Sequence, residues 1–213
     1  MLKPLGDSSI LIQLGDEINP ALNQRVHALS RLLQTITTII ETIPAYCTVL
    51  VHYDPLVTTY NQIKKLIEEK ISLLDDATHR PSRRLEIPVL YGGASGLDFE
   101  SVATALALSP SELIRLHSER EYTVYMMGFT PGFPYLGILN EKLTMPRMST
   151  PRTRVPAGSV AIAGSQTGIY PVDSPGGWHI LGHTPLKLFD PTSETPFLFA
   201  PGDIVKFIPD HGQ

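Results

Sequence analysis

Proline and glycine are distributed very unevenly along this chain of 213 residues, and both residue types restrict regular secondary structure. Four of the 19 prolines and two of the 16 glycines come before Arg80. The first part therefore predicts regular helices and strands, and the later part predicts short strands joined by tight turns. We expect two domains, an α+β domain over residues 1–84 and a mainly-β domain over residues 85–213.

The first domain alternates strand-like runs with amphipathic helical patterns. Residues 9–14 predict a strand, and Asn19 followed by Pro20 predicts the start of a helix. The next apolar run predicts two more strands, residues 58–74 predict a second helix, and residues 83–91 predict a closing strand. The resulting order is βαββαβ, a ferredoxin-like arrangement of two helices on an antiparallel sheet.

The second domain begins with a helical segment and continues as short strands. Ser109 and Glu112 have the residue types and the spacing of a capping box at a helix start. Turn signals then recur every several residues, from Pro131 onward to the Pro-Gly-Asp at residues 201–203. This spacing predicts a β-barrel or a β-sandwich.

Composition excludes several classes of protein. An apolar fraction of 42% and a charged fraction of 18% are typical of a globular fold. The net charge of −4, without a long basic run, argues against nucleic acid or an acidic membrane as the main partner. Cys47 is the single cysteine, so there is no internal disulfide, and its apolar surroundings predict a small core residue. Without a secretory h-region or an apolar run of ~18 residues, we expect a soluble cytoplasmic protein.

The segment GFTPGFPYLG, residues 128–137, is unusual for a soluble domain. It contains three glycines, two prolines and three aromatic residues, and it carries no charge. Its prolines exclude the middle of a sheet, and it is too apolar for an ordinary solvated loop. Two interpretations are open: a buried corner of the fold, or the wall of a place where a ligand or partner docks.

Three familiar kinds of site have little support in the sequence. His179 and His183 fall on one face of a predicted strand, but no third ligand accompanies them, so no metal site is predicted. The YGGASG run at residues 91–96 lacks the lysine and the Ser/Thr of a phosphate loop and predicts a plain turn into a helix. No serine lies in a G-x-S-x-G motif, so a covalent mechanism has no support.

A set of polar and aromatic residues with few carboxylates lies in the later half of the chain. Its members are Arg152, Ser159, Gln166, Thr167, Tyr170, Trp178 and Thr184. Amides, hydroxyls and aromatic rings suit the binding of a small polar ligand, or packing on a partner, better than acid–base catalysis. We therefore expect a binding or interface surface before a complete active site.

Five long segments resemble one protein family. They are EIPVLYGG (86–93), GFTPGFPYLG (128–137), PRTRVPAGSVAIAGSQTGIYP (151–171), SPGGWHILGHTPLKLFDP (174–191) and PGDIVKFIP (201–209). They resemble the family of 5-oxoprolinase B subunits, also called allophanate hydrolase subunit 1 or kinase-A inhibitor, and the resemblance covers nearly the whole chain. It implies a small α+β N-terminal domain followed by a cyclophilin-like β-barrel, similar to one half of the carboxyltransferase domain of urea carboxylase.

The resemblance also implies a function. Members act together with the A subunit and the homologous C subunit of an ATP-dependent 5-oxoprolinase, which opens the lactam of pyroglutamate to give L-glutamate. ATP with magnesium is expected to serve the complex, and no general base or magnesium carboxylate cluster stands out here, so we expect the chain to be incomplete as an enzyme. Two alternatives stay open: an inhibitor of the autophosphorylation of a sporulation-type histidine kinase, and a part of a biotin-dependent amide carboxylase system.

Candidate residues come from the segments that carry the resemblance or adjoin them. For catalysis they are His117, Arg152 and Gln166. For contact with substrate or partner they are Phe129, Pro131, Gly132, Phe133, Arg154, Ser159, Thr167, Tyr170, Trp178 and Thr184. In a carboxyltransferase-like cleft the aromatic rings would supply apolar packing, the prolines would stiffen the loop, and the glycine would permit a close backbone approach. No residue is assigned to a metal.

Overall fold

A computed structural model describes residues 1–74 and 82–210 of the chain. The chain divides into two compact units, one within Met1–Pro81 and one within Ser82–Gln213. Each unit has its own cluster of buried apolar side chains. Over the described ranges, no helix has the length and apolarity needed to cross a membrane.

The first unit is a four-stranded antiparallel sheet accompanied by two helices. Its elements are β1 (Leu2–Pro4), β2 (Ser9–Gln13), α1 (Pro20–Leu33), β3 (Ile39–Pro44), β4 (Thr48–Tyr53) and α2 (Tyr60–Ser72). The strand order is β1-β2-β4-β3. Because side chains alternate across a strand, one face of β2 and β4 is fully buried with residues of both helices. This core includes Ile10, Ile12, Val26, Leu29, Val49, Val51, Ile63 and Ile67.

The predicted closing strand is not part of this sheet. Residues Arg84–Tyr91 form β5, which pairs with strands of the second unit, and β1 occupies the edge beside β2 instead. The βαββαβ prediction is therefore wrong in its last strand, because alternation of apolar residues shows that a strand exists but not which sheet it joins. Cys47 is also not a core residue: it lies between β3 and β4, is partly exposed, and its Sγ donates to the Glu17 carbonyl at 3.2 Å.

The second unit is a closed mixed barrel of seven strands. Its elements are β5, α3 (Phe99–Ala105), α4 (Pro110–Ser118), β6 (Glu121–Met127), β7 (Pro134–Gly137), a 3-10 helix (Glu141–Leu143), β8 (Arg152–Val155), β9 (Ser159–Ala163), β10 (Gln166–Ile169), β11 (Ser174–Gly176), β12 (His179–His183) and β13 (Ile204–Asp210). The order around the barrel is β10-β7-β6-β13-β5-β12-β9, and β9 closes it against β10. Strands β5 and β13 run parallel, and the other neighbours run antiparallel. Of the two predicted architectures, the barrel is the one found.

Strand β9 is buried on both faces, and this places the candidate site. Val160 and Ile162 belong to the barrel core, whereas Ala161 and Ala163 belong to a second cluster that includes Phe133, Tyr170 and Trp178. Since neighbouring side chains of a strand point to opposite faces, the aromatic cluster lies on the outer side of the barrel wall. The small alanine side chains leave room there for large rings.

The helix starts follow the local sequence. Asn19 Oδ1 accepts a hydrogen bond from the N–H of Leu22 at 2.8 Å, and Pro20 occupies the first turn of α1. Ser109 Oγ accepts from the N–H of Glu112 at 3.2 Å at the start of α4. Each cap satisfies a donor that the helix itself leaves unpaired.

Candidate functional site

The segment GFTPGFPYLG forms a turn that buries one phenylalanine and exposes the other. The N–H of Phe133 donates to the Thr130 carbonyl, and the N–H of Gly128 donates to the Phe133 carbonyl, both at 3.1 Å. Phe133 is 1% exposed, whereas Phe129 is 60% exposed. Phe129 also has φ 71°, a left-handed conformation that is uncommon for a bulky residue. The segment is thus a buried corner at one residue and a surface feature at the other.

Aromatic rings pack edge to face around Phe133. Its ring centroid lies 4.9 Å from Tyr135, 5.2 Å from Tyr170 and 5.5 Å from Trp178. Phe129 covers the same ring from outside at 5.6 Å. The T-shaped arrangement places the positive edge of one ring against the negative face of another, and this stabilises a fixed geometry.

The rings enclose a cavity of about 250 Å³, which we call the aromatic cleft. Its lining consists of Phe129, Phe133, Tyr135, Arg147, Pro151, Tyr170, Pro175, Gly176, Gly177 and Trp178. The Arg147 guanidinium carbon lies 5.9 Å from the centroid of the Trp178 ring, within the range of a cation–π contact. Among these lining residues there is no carboxylate and no imidazole. The volume is below the ~300–1,000 Å³ usual for drug-sized ligands, so the cleft suits a small molecule.

The two tyrosines of the cleft are neutral hydrogen-bonding groups. Burial raises the pKa of Tyr170, and burial also raises that of Tyr135, above the ordinary value of 10 for a phenol. Both phenols therefore keep their protons at neutral pH and can donate to a ligand. The aromatic cleft combines one fixed positive charge with neutral donors, and none of its lining groups has the chemistry of a general base at pH 7.

A second concavity adjoins the aromatic cleft and shares Phe129 with it. We call it the apolar groove, and its volume is about 520 Å³. It is lined by Met127, Gly128, Phe129, Thr130, Pro131, Gly132, Phe197, Phe199, Ala200 and Pro201. Gly132 has φ 88°, and a Cβ built on it would lie 3.0 Å from Cβ of Phe189, so both conformation and space favour glycine there.

Arg152 is engaged in an ion pair beside the cleft and does not line it. Its Nη2 lies 2.5 Å from Oδ1 of Asp98, and its Nη1 contacts the Met148 sulfur at 2.9 Å. The other Asp98 oxygen accepts from the N–H of Ile180 at 2.7 Å. The Asp98 carboxylate is buried, so this pair ties β8 to the start of α3 and to β12. The geometry favours a structural role for Arg152 over the predicted catalytic one.

His117 is a core residue, and this position argues against its predicted role in catalysis. It is fully buried, and its ring stacks on Phe207 with centroids 4.6 Å apart. Nδ1 lies 2.7 Å from the Tyr91 hydroxyl, and Nε2 lies 2.9 Å from Oγ1 of Thr167. Burial lowers the pKa of His117 to about 3, so the imidazole is neutral at pH 7 and has no free nitrogen for a substrate.

The remaining predicted residues are spread over the second unit. Phe129, Phe133, Tyr170 and Trp178 meet in the aromatic cleft, and Pro131 and Gly132 line the apolar groove. The others lie away from both: Gln166 begins β10, Thr167 contacts His117, Ser159 and Thr184 are buried, and exposed Arg154 pairs with Asp173. The structure therefore brings the predicted aromatic residues together in one cleft, whereas the predicted polar residues are scattered, apart from the buried contact of Thr167 with His117.

The glycine run 91–96 forms the predicted turn into a helix. The N–H groups of Gly92, Ser95 and Gly96 all donate to backbone carbonyls at 2.8 to 3.1 Å. A phosphate needs free N–H groups, and these are used internally. His179 and His183 each place Nε2 3.0 Å from a backbone carbonyl oxygen.

Sequence reasoning missed Arg147 and Asp98. Arg147 stands in the irregular segment between the 3-10 helix and β8, where no periodicity marks it. Three arginines lie within residues 147–154, and this density was the available signal. Which of the three faces an aromatic ring depends on the tertiary fold, because the contacted Trp178 is distant in the sequence.

The chain belongs to a known family of domains. The family model "Carboxyltransferase domain, subdomain C and D" matches residues 1–199, so the chain belongs to this family. Within it, the chain belongs with the 5-oxoprolinase B subunits. The 5-oxoprolinase B subunit of Bacillus subtilis is 43% identical over 97% of this chain and 91% of its own length. The 5-oxoprolinase B subunit of Escherichia coli O157:H7 is 41% identical over 96% of this chain and 94% of its own length.

A solved structure shows the same fold inside a longer chain. The crystal structure of TTHA0988 superposes with a TM-score of 0.84 at 37% identity. The match covers 100% of this chain and 41% of TTHA0988. The fold described above is therefore less than half of that protein.

Proposed function

We propose that this chain is the B subunit of an ATP-dependent 5-oxoprolinase, which hydrolyses pyroglutamate to L-glutamate in a complex with its A and C subunits. The observation that carries the proposal is the 41% and 43% identity to proteins named as 5-oxoprolinase B subunits, over nearly the full length of both chains. Similarity across both units, and not across the barrel alone, supports a shared role of the whole chain.

The chain is proposed to be inactive alone. Hydrolysis of a lactam needs groups that move protons and donors that stabilise an oxyanion. The aromatic cleft supplies Arg147 and two neutral phenols, and the His117 imidazole is enclosed in the barrel core. The other subunits would supply a base. That TTHA0988 carries this fold as 41% of a longer chain supports a protein that works together with further polypeptide.

ATP and magnesium are proposed to bind elsewhere in the complex. The N–H groups of Gly92, Ser95 and Gly96 donate to backbone carbonyls, and Arg152 and Arg154 are paired with Asp98 and Asp173. These particular groups are therefore not available to hold a triphosphate. The contribution of this chain is to bind and orient a small ligand in the aromatic cleft and to exclude water from it.

The proposed ligand contacts and the proposed partner contacts lie on two different surfaces. Phe129, Phe133, Tyr170 and Trp178 are the proposed ligand contacts in the aromatic cleft. Pro131 and Gly132 are the proposed partner contacts in the apolar groove, since an apolar concavity of this size is buried at low cost by another protein surface. The predicted roles of Arg154, Ser159, Gln166, Thr167 and Thr184 have no such geometric support and stay predictions. No specific observation favours a kinase inhibitor or a biotin-dependent carboxylase.

The test is a set of omissions. Conversion of 5-oxoproline to glutamate is measured in the presence of ATP and magnesium. The assay is run with this chain and the A and C subunits together, then with each pair of the three proteins, and then with each protein alone. The proposal predicts activity in the full mixture, and none from this chain alone. Activity that is indifferent to this chain, or absent from the full mixture, would overturn it.

A further inference from the structure

Arg147 differs from most of the described arginines of the second unit in having no carboxylate partner, a property that it shares with Arg120, whose Nη1 donates to the Ile138 carbonyl at 3.4 Å. Arg83, Arg84, Arg115, Arg152 and Arg154 each form an ion pair with an aspartate or glutamate. Within the part of the chain that the structure describes, no carboxylate lies in ion-pair distance of Arg147. Its guanidinium instead stands over the Trp178 ring at the mouth of the aromatic cleft.

The surroundings of Arg147 favour an anion on a small apolar body. The aromatic rings give the cleft flat apolar walls, and the phenols of Tyr135 and Tyr170 are neutral donors. A guanidinium binds a carboxylate through two parallel hydrogen bonds. Arg147 is an exposed residue, so it would meet the anion at the open side of the cleft. Contact with the Trp178 ring limits the freedom of the guanidinium, so less entropy is lost when an anion binds.

We propose that Arg147 binds the carboxylate of the substrate and that the aromatic cleft thereby selects anionic cyclic amides over neutral ones. The inference rests on the proposed function and adds to it the residue that recognises the charge. The lactam ring lies against the aromatic walls while the carboxylate faces Arg147. A neutral lactam of the same ring size keeps the apolar contacts and loses the ion pair. An inorganic phosphate keeps the charge and loses the apolar contacts.

Trp178 makes the binding measurable in the chain itself. It is the single tryptophan of the 213 residues and forms a wall of the cleft, so its fluorescence reports occupancy. The full chain is titrated with 5-oxoproline, with 2-pyrrolidone, which lacks the carboxylate, and with inorganic phosphate. We expect a saturable change with 5-oxoproline and dissociation constants on the order of tenfold to a hundredfold higher for the other two.

Variants of Arg147 test the assignment. Arg147→Gln should raise the dissociation constant of 5-oxoproline by about tenfold or more and abolish the preference over 2-pyrrolidone, and Arg147→Lys should fall between it and the wild type. Arg115→Gln is the matched control, because Arg115 is an exposed arginine of α4 paired with Glu119, and it should leave binding unchanged. The same variants are assayed in the reconstituted mixture, where Arg147→Gln should raise KM for 5-oxoproline far more than it lowers kcat.

The outcomes separate this inference from the proposed function. If Trp178 fluorescence distinguishes 5-oxoproline from 2-pyrrolidone but the full mixture has no 5-oxoprolinase activity, the inference about Arg147 is supported and the proposed function is refuted. If the full mixture is active, its KM is unaffected by Arg147→Gln, and the fluorescence does not distinguish 5-oxoproline from 2-pyrrolidone, the inference is refuted and the proposed function is supported. Phosphate that binds more tightly than 5-oxoproline would show that the site recognises another anion and would overturn the carboxylate assignment.

Discussion

A β-carbon placed on Gly176 would lie 2.3 Å from the phenol oxygen of Tyr170, so these two residues together set the shape of the aromatic cleft. Gly176→Ala should displace the Tyr170 ring and lower the free energy of unfolding by about 1–3 kcal/mol, the usual cost of overpacking. Urea denaturation measures this loss. Gly177→Ala is the control, because its nearest contact, Cγ of Pro151, would be at an ordinary 3.5 Å. Equal losses in both variants would contradict the steric account.

The buried ion pair of Arg152 with Asp98 should stabilise the fold, whereas that of Arg154 with Asp173 should not. Arg152→Met leaves a buried carboxylate with its N–H partner alone, and we expect a loss on the order of 2–4 kcal/mol in the free energy of unfolding. Arg154→Met removes an exposed pair and should leave stability within experimental error. A double-mutant cycle on each pair measures the coupling. Coupling of similar size in the two pairs would refute the distinction.

His117 should make the fold sensitive to acid. Burial lowers the pKa of His117 to about 3, from 6.5 for an exposed imidazole. Between these values the unfolded chain binds a proton that the folded chain does not, so stability falls as the pH is lowered, by up to ~1.4 kcal/mol per pH unit. His117→Asn should remove this part of the pH dependence and, through lost hydrogen bonds, cost about 1–3 kcal/mol at pH 7.

Urea unfolding at about pH 7.5, 6.0 and 5.0, on either side of the ordinary histidine pKa, measures the effect of His117. As the pH is lowered over this range, the free energy of unfolding should fall more steeply for the wild type than for His117→Asn. The difference in slope should be at most ~1.4 kcal/mol per pH unit, which corresponds to one bound proton. Parallel pH profiles would show that His117 is not buried as a neutral ring. In the reconstituted mixture the variant should keep its activity wherever it is folded, because the imidazole contacts Thr167 and Tyr91 and not the cleft.

Phe129 combines exposure with a left-handed backbone, and such an outlier is a reason to suspect function. Glycine adopts this conformation without the ~1–2 kcal/mol penalty of other residues. Phe129→Gly should therefore keep the thermal unfolding temperature close to that of the wild type while weakening activity in the mixture, since one ring is lost from both the aromatic cleft and the apolar groove. Full activity in this variant, or a large drop in unfolding temperature, would contradict the prediction.

Features whose cause is local could be predicted from the sequence. The helix starts at Asn19 and Ser109 follow from side chains that bond to the next turn. The regular spacing of turn residues predicts a barrel or a sandwich, and the structure has the barrel. The strand Arg84–Tyr91 joins a different sheet from the predicted one, because a two-residue period is the same in either sheet.

Part of the candidate cleft could be predicted from residue types and local pattern. Aromatic residues of the 128–137 segment and Trp178 predict a binding surface, and the structure brings them together. The burial of His117 depends on packing against Phe207 at the other end of the domain sequence, which no local pattern reveals. Arg147 was missed because its position over the Trp178 ring and beside a cavity depends on the tertiary fold.

The most direct test of the central claim is an add-back titration. The A and C subunits are held at fixed concentration with ATP, magnesium and 5-oxoproline, and glutamate formation is followed as this chain is added. The account predicts a rate that rises from near zero and saturates at a fixed molar ratio, as an essential component of the complex requires. A rate that is already maximal without this chain, or that stays at zero at every ratio, would contradict it.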